Sequence, residues 1–102
     1  MNNIMCLCGS TKFKQEYLNI CKEMTLKGFI IVMPGLFAHA GDKISNEQKE
    51  ALDALHLHKI DISDTVYIIN KNGYIGSSTK NEINYAKSLN KKIIYMEKLN
   101  GN

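Results

Sequence analysis

The chain has 102 residues, 44% of them apolar and 23% charged, with one proline and seven glycines; this is the composition of one ordinary folded domain, 1–102, and it excludes a disordered or fibrous protein. Its formal charge of +3 comes from 13 lysines and no arginine against ten acids. That is too little for a nucleic-acid groove and leaves no guanidinium to clamp a phosphate, so backbone amides and hydroxyls must supply most anion contacts.

Ile4-Met5-Cys6-Leu7-Cys8, closed by Gly9-Ser10, is a continuous apolar run of the kind that forms a strand buried on both faces. Phe13, Tyr17, Ile20, Cys21 and Met24 then recur at helical spacing among lysines and glutamates, and Gly28 supplies the stop, which predicts a helix over 13–27. Phe29-Ile30-Ile31-Val32-Met33 reads as a second buried strand ended by Pro34-Gly35, with a loop from Leu36 to Lys43. Ser45-Asn46-Glu47-Gln48 fits a capping box opening a second helix, whose apolar stripe is Ala51, Leu52, Leu55 and Ile60. Thr65-Val66-Tyr67-Ile68-Ile69 is the third strand. Asn72-Gly73 and Gly76-Ser77-Ser78 mark a turn before a helix over about 80–89 with Ile83, Ala86 and Leu89 on one side, and Lys92-Ile93-Ile94-Tyr95-Met96 is the last strand. Strict alternation of strand and helix predicts an α/β fold: a small doubly wound sheet of four parallel strands with three helices, flavodoxin- or Rossmann-like, with right-handed crossovers.

No apolar run approaches the roughly 20 residues of a membrane span, and the opening Met1-Asn2-Asn3-Ile4 lacks the pattern of a secretion signal. The expected location is the cytoplasm, with no membrane partner. Cys6, Cys8 and Cys21 form no CxxC pair and read as buried small hydrophobes. His56 and His58, at i and i+2, do not share a helix face, His39 stands apart, and no cysteine or carboxylate spacing completes a ligand set, so no metal is expected.

Ligands of doubly wound sheets collect beyond the carboxyl ends of the strands. Two junctions lie there: Cys8-Gly9-Ser10-Thr11-Lys12, and Gly73-Tyr74-Ile75-Gly76-Ser77-Ser78-Thr79-Lys80-Asn81-Glu82. Each joins glycines and hydroxyls to a helix start, an arrangement suited to an anion. Each also has a plain reading, the first as a tight turn with its N-cap and the second as a capping box in which Glu82 only bonds the cap's own amide. Asp61 and Asp64 fit helix-end and turn chemistry, and Tyr74 is either a stacking platform or a half-buried aromatic.

At these residues the chain resembles the nucleoside 2-deoxyribosyltransferase superfamily, which includes the 2'-deoxynucleoside 5'-phosphate N-hydrolases. Cys8-Gly9-Ser10-Thr11 is similar to the family's opening loop, Asp64-Thr65-Val66-Tyr67-Ile68 to its third-strand segment, and Gly76-Ser77-Ser78-Thr79-Lys80-Asn81-Glu82-Ile83-Asn84-Tyr85-Ala86 to its glutamate helix. The resemblance implies that Glu82 is a nucleophile toward the anomeric carbon of a deoxyribose. It further implies that Cys8, Gly9, Ser10, Thr11, Asp64, Gly76, Ser77 and Ser78 bind a nucleoside or nucleotide, and that a homo-oligomer, a dimer, completes the site. No cofactor is implied. The family's second acid stands about eight residues before the strand-three aspartate. Here that count lands on His56, so the acid is expected to be His56 or, with an offset helix, Asp61.

The sequence thus carries an enzyme reading, cleavage or transfer at the N-glycosidic bond of a (deoxy)nucleoside or its 5'-monophosphate. It also carries an alternative, a non-catalytic nucleotide-binding or sensing module using the same loops. A third reading, an interaction protein, would use Leu36-Phe37-Ala38 as a contact surface.

Overall fold

The computed structural model describes residues 3–35 and 43–99. Four strands, β1 (Ile4–Gly9), β2 (Ile30–Val32), β3 (Thr65–Ile69) and β4 (Lys92–Tyr95), form one parallel sheet in the order β2-β1-β3-β4. Helices α1 (Lys14–Leu26), α2 (Asn46–Asp61) and α3 (Ser77–Ser88) connect them, giving the α/β doubly wound arrangement read from the strand-helix alternation. The Cα radius of gyration, 13.1 Å, matches the roughly 13 Å of one packed unit of this length.

The sheet has a helix layer on each side, and β1 faces both. Met5 and Leu7 pack with Tyr67 and Ile69 against Phe13, Tyr17 and Ile20 of the α1 side. Cys6 and Cys8, pointing the other way by the two-residue period of a strand, pack with Val66 and Ile68 against Ile60 of α2 and Ile83 and Ala86 of α3. This double burial explains why β1 and β3 read as unbroken apolar runs.

Helix boundaries follow local chemistry. Ser10 caps a short 3-10 turn, Thr11–Phe13, by accepting from the Lys12 amide at 3.3 Å, and α1 begins only after it. Gly28, at φ +98°, takes the left-handed conformation that ends α1. Ser45 and Gln48 form the expected capping box at α2.

Several expectations are corrected. The second strand is shorter than 29–33 and lies at the sheet edge, where Ile30 is 54% exposed; an edge strand has a neighbour on one side only, so its apolar run is not evidence of burial on both faces. Within α2 the buried stripe is His56 and Ile60, whereas Leu55 is 48% exposed. Helix α3 starts at Ser77, about three residues before the expected boundary. Of the loop 36–43, residues 36–42 lie outside the described residues, and with them His39 and the Leu36-Phe37-Ala38 surface. Among the described residues, no helix is long and apolar enough to cross a membrane.

Gly9 lies at the end of β1, opposite Ile69 of β3. A Cβ there would stand 2.8 Å from the Ile69 carbonyl oxygen, an overlap that only backbone movement relieves. Gly9→Ala is therefore expected to lower stability by about 1–3 kcal/mol, read as a shift of the denaturant midpoint at constant slope. Gly35→Ala, where an added Cβ meets nothing within 4 Å, should stay within about 0.5 kcal/mol of wild type.

Candidate active site

The chain leaves β1 toward β2 on one side and later returns to β3 on the other, so the switch in strand order falls between the carboxyl ends of β1 and β3. Crevices of doubly wound sheets open at that point. A cavity of about 340 Å³ lies there, within the range of small-molecule sites. Its walls are the β1 exit (Gly9, Ser10, Thr11), the start of α3 (Gly76, Ser77, Ser78, Thr79, Glu82) and one stripe of α2 that includes Lys49, His56 and Lys59.

Each wall is held by nameable contacts. The Tyr17 hydroxyl of α1 donates to the Gly9 carbonyl at 2.6 Å, fixing the β1 exit from below. The buried Asn70 side chain exchanges two hydrogen bonds with the Glu97 backbone, 3.0 and 2.8 Å, and locks the end of β3 to the chain after β4. Lys59 donates to the Met33 carbonyl at 2.8 Å and ties α2 to the end of β2. At the rim, the Lys12 ammonium sits 3.7 Å from the centroid of the Tyr74 ring, which in turn meets Phe13 edge-on. Tyr74 is thus engaged with neighbours at the cavity mouth.

Glu82 points inward. Its side chain is only 15% exposed, and its Oε1 lies 3.8 Å from His56 Nε2. The capping-box reading of Glu82 does not survive the earlier start of α3: Gly76 is the N-cap, with no side chain to cap the first amides, and Thr79 is a buried residue of the helix. Glu82 accordingly stands in the second turn, beyond the strongest effect of the helix start.

Behind Glu82 lies a cluster of titratable groups on the buried side of the sheet. Cys8 Sγ is 3.2 Å and Cys6 Sγ 3.7 Å from His56 Nε2. The hydrogen bond with Cys8, reinforced by His56, pulls the Cys6 thiol down to about 6 against the opposing effect of burial. Cys8 is pushed well up by its hydrogen bond with Cys6, by burial and by the Glu82 charge. Burial raises Glu82 above the usual carboxylate range, although the facing His56 works the other way. Burial alone would disfavour the His56 imidazolium, but Cys6 and Glu82 outweigh it and hold the ring above its ordinary value.

Of the residues singled out in the sequence, the structure gathers Gly9, Ser10, Thr11, Gly76, Ser77, Ser78, His56 and Glu82 around one cavity, with Cys8 beneath it. Asp61 and Asp64 are not there. Asp64 Oδ2 accepts from the Ile4 amide at 2.9 Å, at the amino edge of the sheet, and the five residues of β3 separate that edge from the cavity by about 16 Å. Asp61, at the C-terminal end of α2, accepts from the Tyr85 hydroxyl at 2.5 Å. Both make helix-end and strand-end contacts, which corrects their placement in the site.

The expectation that no ligand set exists is likewise revised, because Cys6, Cys8 and His56 bring one ligand atom each within 4.8 Å of one another. Cys6, Lys49 and Lys59 were not singled out from the sequence. The signal was present: strand parity puts Cys6 beside Cys8 on one face, and helical spacing from His56 reaches Lys59 at i+3 and Lys49 at i−7. Compared with known proteins, the chain matches no protein-family model and no curated protein sequence.

The Tyr17 hydroxyl is withdrawn from water, and its ionisation is strongly disfavoured, above all by burial. Tyr17→Phe leaves the Gly9 carbonyl without this donor and is expected to cost about 0.5–1.5 kcal/mol, measured by urea unfolding.

Proposed function

We propose that this chain cleaves or transfers the N-glycosidic bond of a (deoxy)nucleoside or its 5'-monophosphate, with Glu82 as the nucleophile. The observation that carries the reading is the inward Glu82 carboxylate, largely shielded from water, facing a cavity whose other walls are two hydroxyl-rich helix starts. The resemblance of the glutamate helix and opening loop to the nucleoside 2-deoxyribosyltransferase superfamily supports it.

In this reading a carboxylate oxygen of Glu82 bonds to the anomeric carbon as the carbon–nitrogen bond breaks, and the electron pair leaves with the base. Water or a second base then displaces Glu82 from the sugar. His56, beside Glu82 in the cavity wall, donates the proton that the departing base needs. Ser10, Thr11, Ser77 and Ser78 with the first amides of α3 hold the phosphate or the sugar hydroxyls, and Lys59 adds positive charge, whereas Lys49 is paired with Asp53 of the same wall.

A second reading, a nucleotide-binding or sensing module without catalysis, is favoured by one observation. The position expected to carry a second acid is His56, only 6% exposed, with its Nε2 engaged by Cys8 and Glu82. The two readings separate in one experiment. Wild type incubated with a panel of deoxynucleoside 5'-monophosphates should release free base, detected chromatographically. Glu82→Ala and Glu82→Gln should lower the rate on the order of a thousandfold or more while nucleotide binding and melting temperature change little. Nucleotide binding without base release from any member of the panel would establish the module instead.

The proposal includes a homodimer. Ile44, Ala51, Leu52 and Leu55 line a shallow apolar surface on the outer side of α2, next to the cavity. A second copy packed there would enclose the site. Light scattering is expected to give twice the chain mass for wild type and the monomer mass for Leu55→Glu.

A further inference from the structure

We propose that Cys6, Cys8 and His56 form a binding site for a thiophilic divalent cation, best fitted by Zn²⁺, with the fourth coordination position facing Glu82.

The argument begins with placement. Cys6 and Cys8 are i and i+2 on β1, so both sulfurs project from the same face of the sheet, and both residues are fully buried. His56 reaches them from α2, one turn before Ile60 on the same buried stripe. The three ligand atoms come from two elements, β1 and α2, and all lie within 4.8 Å of one another. A tetrahedral ion with Zn–S of about 2.3 Å and Zn–N of about 2.0–2.1 Å holds its ligand atoms roughly 3.5–3.8 Å apart. The observed separations of 3.2 and 3.7 Å between the sulfurs and Nε2 approach that spacing with the side chains as they stand.

The chemistry of the donor set narrows the ion. Two thiols and an imidazole suit zinc, whereas Mg²⁺ and Ca²⁺ require oxygen ligands. Carboxylate oxygen is also a zinc ligand, and Glu82 Oε1 stands 3.8 Å from the same Nε2, beside the three donors though outside their close grouping.

The same convergence of groups that hydrogen bonding holds together also offers an ion more than one donor at a single point. A neutral imidazole offers at Nε2 either one lone pair or one proton, yet two sulfurs and a carboxylate approach that atom. The surroundings are apolar, formed by Val66, Ile68, Ile60 and Ile83. Among the described residues no buried side-chain nitrogen or oxygen lacks a partner, so His56 and Glu82 are satisfied without an ion and the site can be stripped and titrated. Ion binding occupies the His56 lone pair and removes that ring from proton transfer. The site is therefore an alternative state of the cluster and does not rest on the glycosidic reading.

The test is Co²⁺ titration of the chelator-stripped chain, followed by Zn²⁺ competition. One equivalent of Co²⁺ should give the near-ultraviolet thiolate charge-transfer band and the intense visible bands of a tetrahedral centre, both bleached by Zn²⁺. Cys6→Ser, Cys8→Ser and His56→Gln should each weaken Zn²⁺ binding by more than about a hundredfold, beyond the cost of losing an outer-shell partner. Cys21→Ser, remote on α1, should bind as wild type. Melting with and without Zn²⁺ gives a second readout: the metal should raise the melting temperature of wild type and leave that of Cys8→Ser unchanged. If a cysteine variant fails to fold, the wild-type cobalt spectrum decides alone. Absence of the charge-transfer band, or undiminished binding in folded Cys6→Ser and Cys8→Ser, overturns the proposal.

Discussion

At the end of β1, the Gly9 backbone runs so close to the Ile69 carbonyl that only glycine fits, and this pairing of β1 with β3 fixes which side chains of the two strands face the cavity layer. The register that follows, Cys8 opposite Ile68 and Gly9 opposite Ile69, assigns the even residues of β1 to the α2–α3 layer and the odd ones to α1. Two sulfurs therefore face His56 and Glu82, while Leu7 and Met5 complete the other core. A shift of one residue would exchange the two faces. The Tyr17 hydroxyl on the Gly9 carbonyl ties α1 to this same point, so both layers are referenced to one glycine.

The buried cluster is expensive in a domain of this size. Folded chains retain roughly 5–15 kcal/mol of net stability, and each unit by which burial displaces a titration is about 1.4 kcal/mol. Burial raises Glu82, so the fold holds this carboxylate against its solvation preference; the raised Cys8 thiol stays neutral, as it would in water near pH 7, and adds no such penalty. Aliphatic side chains in the same positions would pack against Val66 and Ile68 without that penalty. The other core cluster, Met5, Leu7, Ile20 and Ile69 with the rings of Phe13, Tyr17 and Tyr67, has no comparable group, so the four titratable side chains gathered beside the cavity mark that place as the candidate for chemistry.

The sheet and its topology were legible because β1 and β3, buried on both sides, write continuous apolar runs bounded by glycine and polar turns. Edge strand β2 writes the same kind of run, and its exposure at Ile30 is invisible without the strand order. The start of α3 was hidden because Ser77 and Ser78 are loop-forming in isolation, and Thr79-Lys80-Asn81-Glu82 imitates a capping box. Packing of Thr79 into the core overrides that local preference. Gly9, Ser10, Ser77 and Glu82 belonged to recognisable strand-to-helix junctions and were foreseen as neighbours. The link between the cysteines and His56, 48 and 50 residues apart, depends on α2 crossing β1, which spacing along the chain does not encode. Asp61 and Asp64 enter the site through the family resemblance alone; both precede strand three and stand at its amino end, away from the carboxyl ends where the cavity opens.

The early start of α3 has an electrostatic consequence for the site. Its first amides, at Ser77 to Thr79, have no partner within the helix and face the cavity wall, so they are free to meet an anion. Glu82 stands five residues beyond Ser77, about 7.5 Å along the axis. At an effective dielectric near 20, two unit charges repel by about 2 kcal/mol at that distance, against about 4 kcal/mol at 4 Å. A carboxylate in the first turn would sit at the shorter distance and compete with the anion for the same amides. One turn deeper, with His56 across from it, Glu82 stands farther from such an anion and, in the proposed reading, leaves the helix start to the ligand. In the proposed reading, the offset lets one twelve-residue helix offer its first amides to an anion and its carboxylate to the sugar at two distinct points of the same cavity.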